Sequence, residues 1–309
     1  MRNGQPQARA AVEEYFDALA EGLEQFRLDG SASAKPDYDD AVVKSIDDFL
    51  PYRNEYVSLL HLIARYVTEA DIPDLIRPLL EKVLVYTSRP PELMQYRECD
   101  FDNFRFIAHE LFLYTVAILL KAGKFRAASS LMYGPFYIPS QANIGLPTLF
   151  DGSDFWKDIA SLQQRNRRLD FKRRSLQADL LKERATIPSV TFNDLVQADF
   201  VLYLHMRLAG NSWFPVTTVL ESFVRAPFEI FARAQSAAYF ERISELLPVS
   251  RTPGLSRCGD PLEFHRAEIA NGRVAPGWVV EAFDIIEHVG AGIVSCPVDL
   301  AGDPLGFER

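Results

Sequence analysis

Residues Phe101–Ala122 read FDNFRFIAHELFLYTVAILLKA, and this stretch decides the fold. Phe104, Phe106, Ile107, Leu111, Phe112, Leu113, Val116, Ile118, Leu119 and Leu120 cover nearly every side of a helix. A helix that is apolar all round has to be enclosed by neighbours. Its apolar run, Leu111–Leu120, is ten residues, half of the roughly 20 a membrane-spanning helix needs. The stretch therefore predicts the central helix of a protein core.

The flanking sequence supplies those neighbours. Upstream, Val12, Tyr15, Phe16, Leu19, Leu23 and Phe26 recur at spacings of three and four, and Glu13, Asp17, Glu21 and Glu24 form an opposite acidic stripe. This is the pattern of an amphipathic helix on a core. Asp37 opens a second helix to about Leu50, a third spans roughly Arg53–Thr68, and Asp71-Ile72-Pro73 starts a fourth that meets Pro78 in a kink or a second start. Downstream, Lys121-Ala122-Gly123-Lys124 breaks the central helix, and Phe125-Arg126-Ala127-Ala128 starts another. That helix–AGKF–AA–helix pattern resembles the hairpin turn of tetratricopeptide-type units, in which small residues let antiparallel helices approach. It occurs once, without a 34-residue period.

The whole chain reads as mainly α: a helical bundle of αα-hairpins, with a solenoid-like arrangement open as an alternative. Residues 1–132 form the N-terminal bundle. Residues 133–154, with three glycines and three prolines but also Phe136, Tyr137, Ile138 and Phe150, form a packed Pro/Gly loop. Residues 155–248 form a second helical layer, with helices over 154–162 and 165–184 and a strong one opened by the capping-box sequence Thr191-Phe192-Asn193-Asp194. Residues 249–309 form an irregular extension with one helix near 278–288 and the best strand candidate at 292–298.

Composition excludes several function classes. The 309 residues are 48% hydrophobic and 24% charged, which is globular rather than disordered. A net charge of −9 argues against a protein that coats nucleic acid or anionic lipid with its whole surface. Cys99, Cys258 and Cys296 form neither a disulfide framework nor a CxxC zinc pair. The N-terminus reads without an apolar segment, so a reduced cytoplasmic setting is expected and no membrane partner. No P-loop, GxGxxG or GxSxG sequence is present, so no cofactor is expected. His109-Glu110 begins like HExxH, but Leu113 stands where the second ligand would be, so no metal site is expected either.

Three residues are weak catalytic candidates. Arg105 and His109 share a helix face at i and i+4, although neither this pair nor Arg53 with His61 has the spacing of the HEPN ribonucleases. Asp199, inside the apolar run Ala198–Leu204, must be paired or protonated. An arginine from the basic segment is the expected partner.

That segment, Arg165–Arg184, carries eight bases against three acids. Read as one helix, it sets Arg167 and Arg174 near one line and Arg165, Arg168 and Lys172 along another, so that charge faces one internal and one external surface. The second line is expected to be the external one. Arg165, Arg167, Arg168, Lys172, Arg173 and Arg174 are accordingly the candidate partner- or anion-binding residues. The stretches RNRRLDFKRRSLQADLLKER and FNDLVQADFVLYLHMRLAGNSWFPVTTV (Phe192–Val219) resemble helical regions of bacterial anti-phage defence and restriction-type proteins. That resemblance implies a regulatory or sensing role and brings no catalytic site. The leading expectation is a non-catalytic interaction or regulatory subunit with a protein partner or a second copy of itself. The alternative is a nucleic-acid-binding protein or metal-dependent nuclease using the basic helix, with Asp154, Asp170 and Lys172 in D…DxK order.

Overall fold

The computed structural model describes residues 5–29, 35–90, 94, 96–138 and 148–220. These belong to one compact unit that ends at Leu220. The helix expected near 278–288, the strand over 292–298, the irregular extension from 249 and the part of the second helical layer beyond residue 220 lie outside the described residues.

The described chain is a mainly α bundle. Its helices are α1 (Gln5–Gly22), α2 (Tyr38–Asp48), α3 (Leu50–Tyr66), α4 (Ile72–Tyr86), α5 (Asp102–Lys121), α6 (Phe125–Tyr133), α7 (Ala160–Arg168), α8 (Leu176–Arg184) and α9 (Phe192–Leu208), joined in places by single 3-10 turns. The helix α4 runs through Pro78 without a second start. The expected basic helix 165–184 is two helices: α7 ends at Arg168, and Asp170 and Lys172 both have left-handed backbone, with φ of 49° and 54°. Leu169 caps α7, the Asp170 N–H donates to the Arg167 carbonyl, and the Phe171 N–H reaches back to the Asn166 carbonyl. Aspartate tolerates that left-handed stop better than most residues.

The helix α5 is the centre. Every residue from Asp102 to Leu119 is buried except Arg105, and α2, α3, α4, α6 and α9 all pack on it. Glu98–Lys121 is long and apolar enough to cross a membrane, its most apolar 18 residues having a mean hydropathy of 1.3, yet 89% of those are buried inside the protein. It is a core helix. Gly123, at φ 71°, ends it in a Schellman turn, with the Gly123 N–H on the Leu120 carbonyl and the Lys124 N–H on Leu119. Glu69 then caps α6 by accepting from the Arg126 N–H at 2.7 Å.

Strands occur within the Pro/Gly stretch. β1 (Phe136–Ile138) pairs antiparallel with β2 (Thr148–Phe150), Phe136 opposite Phe150. Phe136 packs inward against Phe112 and Phe155, and Phe112 and Phe155 stack with centroids 4.2 Å apart. Gly134 makes the turn possible: a Cβ there would lie 2.4 Å from the Ser130 carbonyl oxygen. Arg77 closes the corner by donating to the Pro135 and Ser130 carbonyls, both at 2.9 Å.

A buried ionic cluster joins four helices. Glu110 of α5 is 0% exposed and accepts from Nε and Nη2 of Arg184, the last residue of α8, both at 2.9 Å. Arg53 of α3, also 0% exposed, donates to the Arg184 carbonyl at 2.7 Å and lies 4.6 Å over the Tyr114 ring. Asp47 of α2 meets Arg184 from the solvent side at 3.2 Å. Burial works against the Arg184 charge, and Glu110 and Asp47 overcome it, so its pKa stays above the usual value. Removing one partner of such a pair strands the other charge in a dry core. Glu110→Ala is therefore expected to cost about 3–5 kcal/mol in urea denaturation. Glu98→Ala, which breaks the exposed Glu98–Arg105 bridge, should cost less than about 1 kcal/mol. Equal losses for the two variants would refute the weight given to the cluster.

Candidate functional site

The basic segment divides into an internal and an external set; Lys172 is outside as expected, and the four arginines of the two lines are exchanged. Arg165 and Arg168, expected outside, dock on the first turn of α2. Arg168 grips Asp39 with Nε and Nη2 at 3.1 and 2.9 Å and reaches Asp40 at 2.7 Å. Arg165 bonds Asp40 as well. Through these bonds Arg165, then Arg168, hold the Asp40 carboxyl below the usual carboxylate range. Carboxylates in the first turn of α2 also suit the positive end of its dipole. Arg173 closes on Asp179 of α8 with two bonds of 2.8 and 2.7 Å.

Arg167, Lys172 and Arg174 remain outside. Arg167 lies in the last turn of α7, Lys172 and Arg174 lie on the connection from α7 to α8, and the Asn166 side chain holds that connection shut. Its Nδ2 donates to the Arg173 carbonyl at 2.7 Å and its Oδ1 accepts from the Arg173 N–H at 3.0 Å. Asn166 thus does for the turn what a paired strand would do, leaving residues 167–172 as a closed loop. The loop exposes Phe171 at 46% and Leu169 at its base. Lys172 and Asp170 meet at 3.3 Å with nearly 80% of each side chain in water, a pair worth little. Arg167 and Arg174 have no ion-pair partner among the described residues.

The catalytic candidates sit in the core instead. Arg105 is used at the start of α5, on Asp102 at 3.2 Å and Glu98 at 2.6 Å. His109 faces Gln177 of α8, whose Nε2 donates to Nδ1 at 3.0 Å, which puts the ring proton on Nε2. Burial drives the His109 pKa down to about 3, so the ring is neutral. Arg105 and His109 share a face but no partner.

Asp199 is not paired with an arginine. Its Oδ1 accepts from the Trp213 indole at 2.7 Å, and its Oδ2 accepts from the Thr217 N–H and hydroxyl at 2.8 and 2.7 Å. The arginine of the basic segment nearest to it in sequence, Arg184, is committed to Glu110. Trp213 also packs 5.5 Å from the His109 ring, so His109 and Asp199 both meet one indole. Without a cation, burial raises the Asp199 pKa to about 6 against the pull of Thr217 and Trp213.

The D…DxK order forms no joint site. Asp154 closes a capping box with Asp151 and bonds Lys157 at 3.2 Å, whereas Asp170 pairs with Lys172 in solvent. Among the described residues no group of three His, Cys, Asp or Glu side chains is placed to hold a metal ion.

Sequence reasoning missed a cleft of about 590 Å³ beside the α5–α6 turn. It is lined by His61, Ala64, Arg65, Ile118, Lys121, Ala122, Lys124 and Ser189. The signal was present in Lys121-Ala122-Gly123-Lys124, read only as a helix break. A second cleft, between α1 and α3, is walled by Val12, Tyr15 and Leu59 and holds Glu55.

No protein-family model, curated protein or solved structure matches the chain.

The environment of Asp199 makes a signed prediction. Its carboxyl holds its proton more tightly folded (pKa about 6) than at its ordinary value of 3.8. The stabilisation is thus fully present below the ordinary value, declines as pH rises, and is gone above the folded pKa. Asp199→Asn cannot titrate and turns an amide donor toward the Thr217 N–H. The stability advantage of the wild type over Asp199→Asn should therefore shrink by about 3 kcal/mol between roughly pH 4 and 6. Chemical denaturation of both proteins across that range checks it, and a pH-independent difference would refute the raised pKa.

Proposed function

We propose that this protein is a non-catalytic helical interaction module that docks on an acidic face of a protein partner through the turn 167–174. One observation carries the reading: Asn166 holds this turn in shape while Arg167, Phe171, Lys172 and Arg174 stay in solvent. A left-handed lysine costs about 1–2 kcal/mol. Strain of that kind persists where the surrounding structure imposes it, and it gathers at ligand-binding segments. A preformed turn loses little entropy on binding, and an aromatic ring among arginines has the composition of an interface anchor.

A protein partner fits better than a nucleic acid. The free cations are few, the chain carries −9 overall, and Phe171 is the lone aromatic ring in the turn, where single-strand binding uses several. A cytoplasmic, regulatory setting is the matching environment, supported by the likeness of 165–184 and 192–219 to helical regions of restriction-type proteins.

The triple change Arg167→Glu, Lys172→Glu and Arg174→Glu is the test. In the native host, a photo-crosslinker in place of Phe171 should trap one predominant protein. The triple change should abolish that crosslink with the circular dichroism spectrum unchanged, and added salt should weaken it, because exposed charges are screened beyond about 8–10 Å. Arg165→Glu with Arg168→Glu should instead lower the melting temperature, because those side chains hold α7 on α2. If the wild type instead shifts mixed-sequence DNA or RNA in gels with a steep salt dependence, the protein-docking reading falls to the nucleic-acid one.

A further inference from the structure

The cleft beside the α5–α6 turn is independent of the basic turn and of the reading built on it. Four nitrogen-bearing side chains converge there: His61 and Arg65 from the last turns of α3, Lys121 from the end of α5, and Lys124 from the loop that follows. Two of these cations have local explanations. The C-terminal ends of α3 and α5 each carry about half a negative charge, which basic residues in a last turn offset. Lys121 also bonds Asp194 at 2.7 Å. That carboxylate is shared with the Thr191 N–H and hydroxyl, and despite its burial these partners keep it below the ordinary aspartate range.

The helix ends and Asp194 together do not neutralise the group. Lys124 has no ion-pair partner among the described residues, and Arg65 only lies over the Tyr66 ring, 5.2 Å from its centre. His61 Nε2 is shielded from solvent and has no hydrogen-bond partner, although buried ring nitrogens normally have one. Burial and then Lys121 hold the His61 pKa below its usual value. The cleft is thus left with positive charge, an unused ring nitrogen and the Ser189 hydroxyl. An anion satisfies the charge and the hydroxyl, and lies against the ring.

We infer that this cleft binds a phosphorylated small molecule, with the phosphate between Lys124, Arg65 and the His61 ring. The volume decides against a bare inorganic ion as the full occupant, since about 590 Å³ lies within the range of small-molecule sites. Ala64, Ile118 and Ala122 form a wall of short apolar side chains on which an organic portion can lie. No carboxylate lines the cleft, so a phosphate meets no like charge within it.

The test uses the full chain with inorganic phosphate and phenyl phosphate as probes. Each should move the His61 ring resonances in a saturable way and raise the melting temperature. Phenyl phosphate should bind the more tightly, because its ring gains the apolar wall. Neither Lys124 nor Arg65 makes an ion pair or a side-chain hydrogen bond among the described residues, so Lys124→Ala and Arg65→Ala should both fold, and each should weaken phosphate about tenfold, the effect of losing one charged hydrogen bond. Sulfate, which carries similar charge, should compete. The inference is overturned if millimolar phosphate leaves His61 unmoved or if the response survives both substitutions. Equal binding of the two probes would overturn the assignment of the apolar wall to an organic portion.

Discussion

A carboxylate buried on a helix that is apolar on every side is the constraint from which much of this fold follows. Glu110 cannot reach water from α5, so its two oxygens take the Nε–Nη2 edge of the Arg184 guanidinium. That brings the end of α8 onto the centre of the bundle, and the Arg184 carbonyl then receives Arg53 of α3. Other polar side chains of α5 are met by different elements, although the Tyr114 hydroxyl and His109 Nε2 have no hydrogen-bond partner. Asp102 accepts from Ser161 at the start of α7, at 2.8 and 2.7 Å. Asn103 donates to the Phe26 carbonyl and to Ser45 of α2. His109 takes Gln177 of α8, and Thr115 takes Tyr56 of α3 at 2.6 Å. Apolar burial drives the helices onto α5 without fixing their rotation or register. These pairs are directional, and a slip of one turn would leave several of them unsatisfied in the core.

How much of this was legible depended on whether a feature was local. The all-apolar stretch 101–122, the glycine stop at Gly123 and the Thr191–Asp194 box each declare themselves within a few residues, and the structure carries all three. The partner of a buried charge is a long-range fact. Asp199 and Glu110 pose the same problem in sequence, an acid within an apolar run, and an arginine from the segment 165–184 was the natural answer for Asp199. The structure gives that arginine to Glu110 and leaves Asp199 to Trp213 and Thr217. Nothing in residue spacing separates the two pairings, because the choice turns on where α8 ends in space.

The basic segment fails as a single helix for a different reason. Charge patterning is blind to the side-chain amide of Asn166, which closes on the Arg173 peptide and stabilises a turn where the pattern continues as helix. Once the helix is broken, the projection that sorted Arg165, Arg168 and Lys172 together no longer applies. Arg165 and Arg168 stay on α7 and meet Asp39 and Asp40, whereas Lys172 is carried out on the turn. The acidic counterpart was also in view, as two adjacent aspartates in the first turn of α2, but the longer acidic stripe of α1 competes for the same reading. The segment's charge is largely consumed within the protein, and only the part that the clamped turn lifts into water is free for another molecule.

Perturbed titration is commonly a mark of chemistry, and here it marks the opposite. His109 and Asp199 are among the most displaced groups in the bundle, and both are displaced chiefly by burial. Each is bonded to neutral donors around Trp213, and neither lines the clefts at α1–α3 or beside Gly123. A general acid or base has to reach its substrate within hydrogen-bond distance, and the same enclosure that shifts these groups keeps a substrate away. His61 differs in its place: its residue lines a surface cleft beside Arg65, Lys121 and Lys124, whereas His109, whose Nε2 is equally without a hydrogen-bond partner, is sealed in the core. Displacement with access, rather than displacement alone, separates a residue that holds the fold from one placed to meet a ligand.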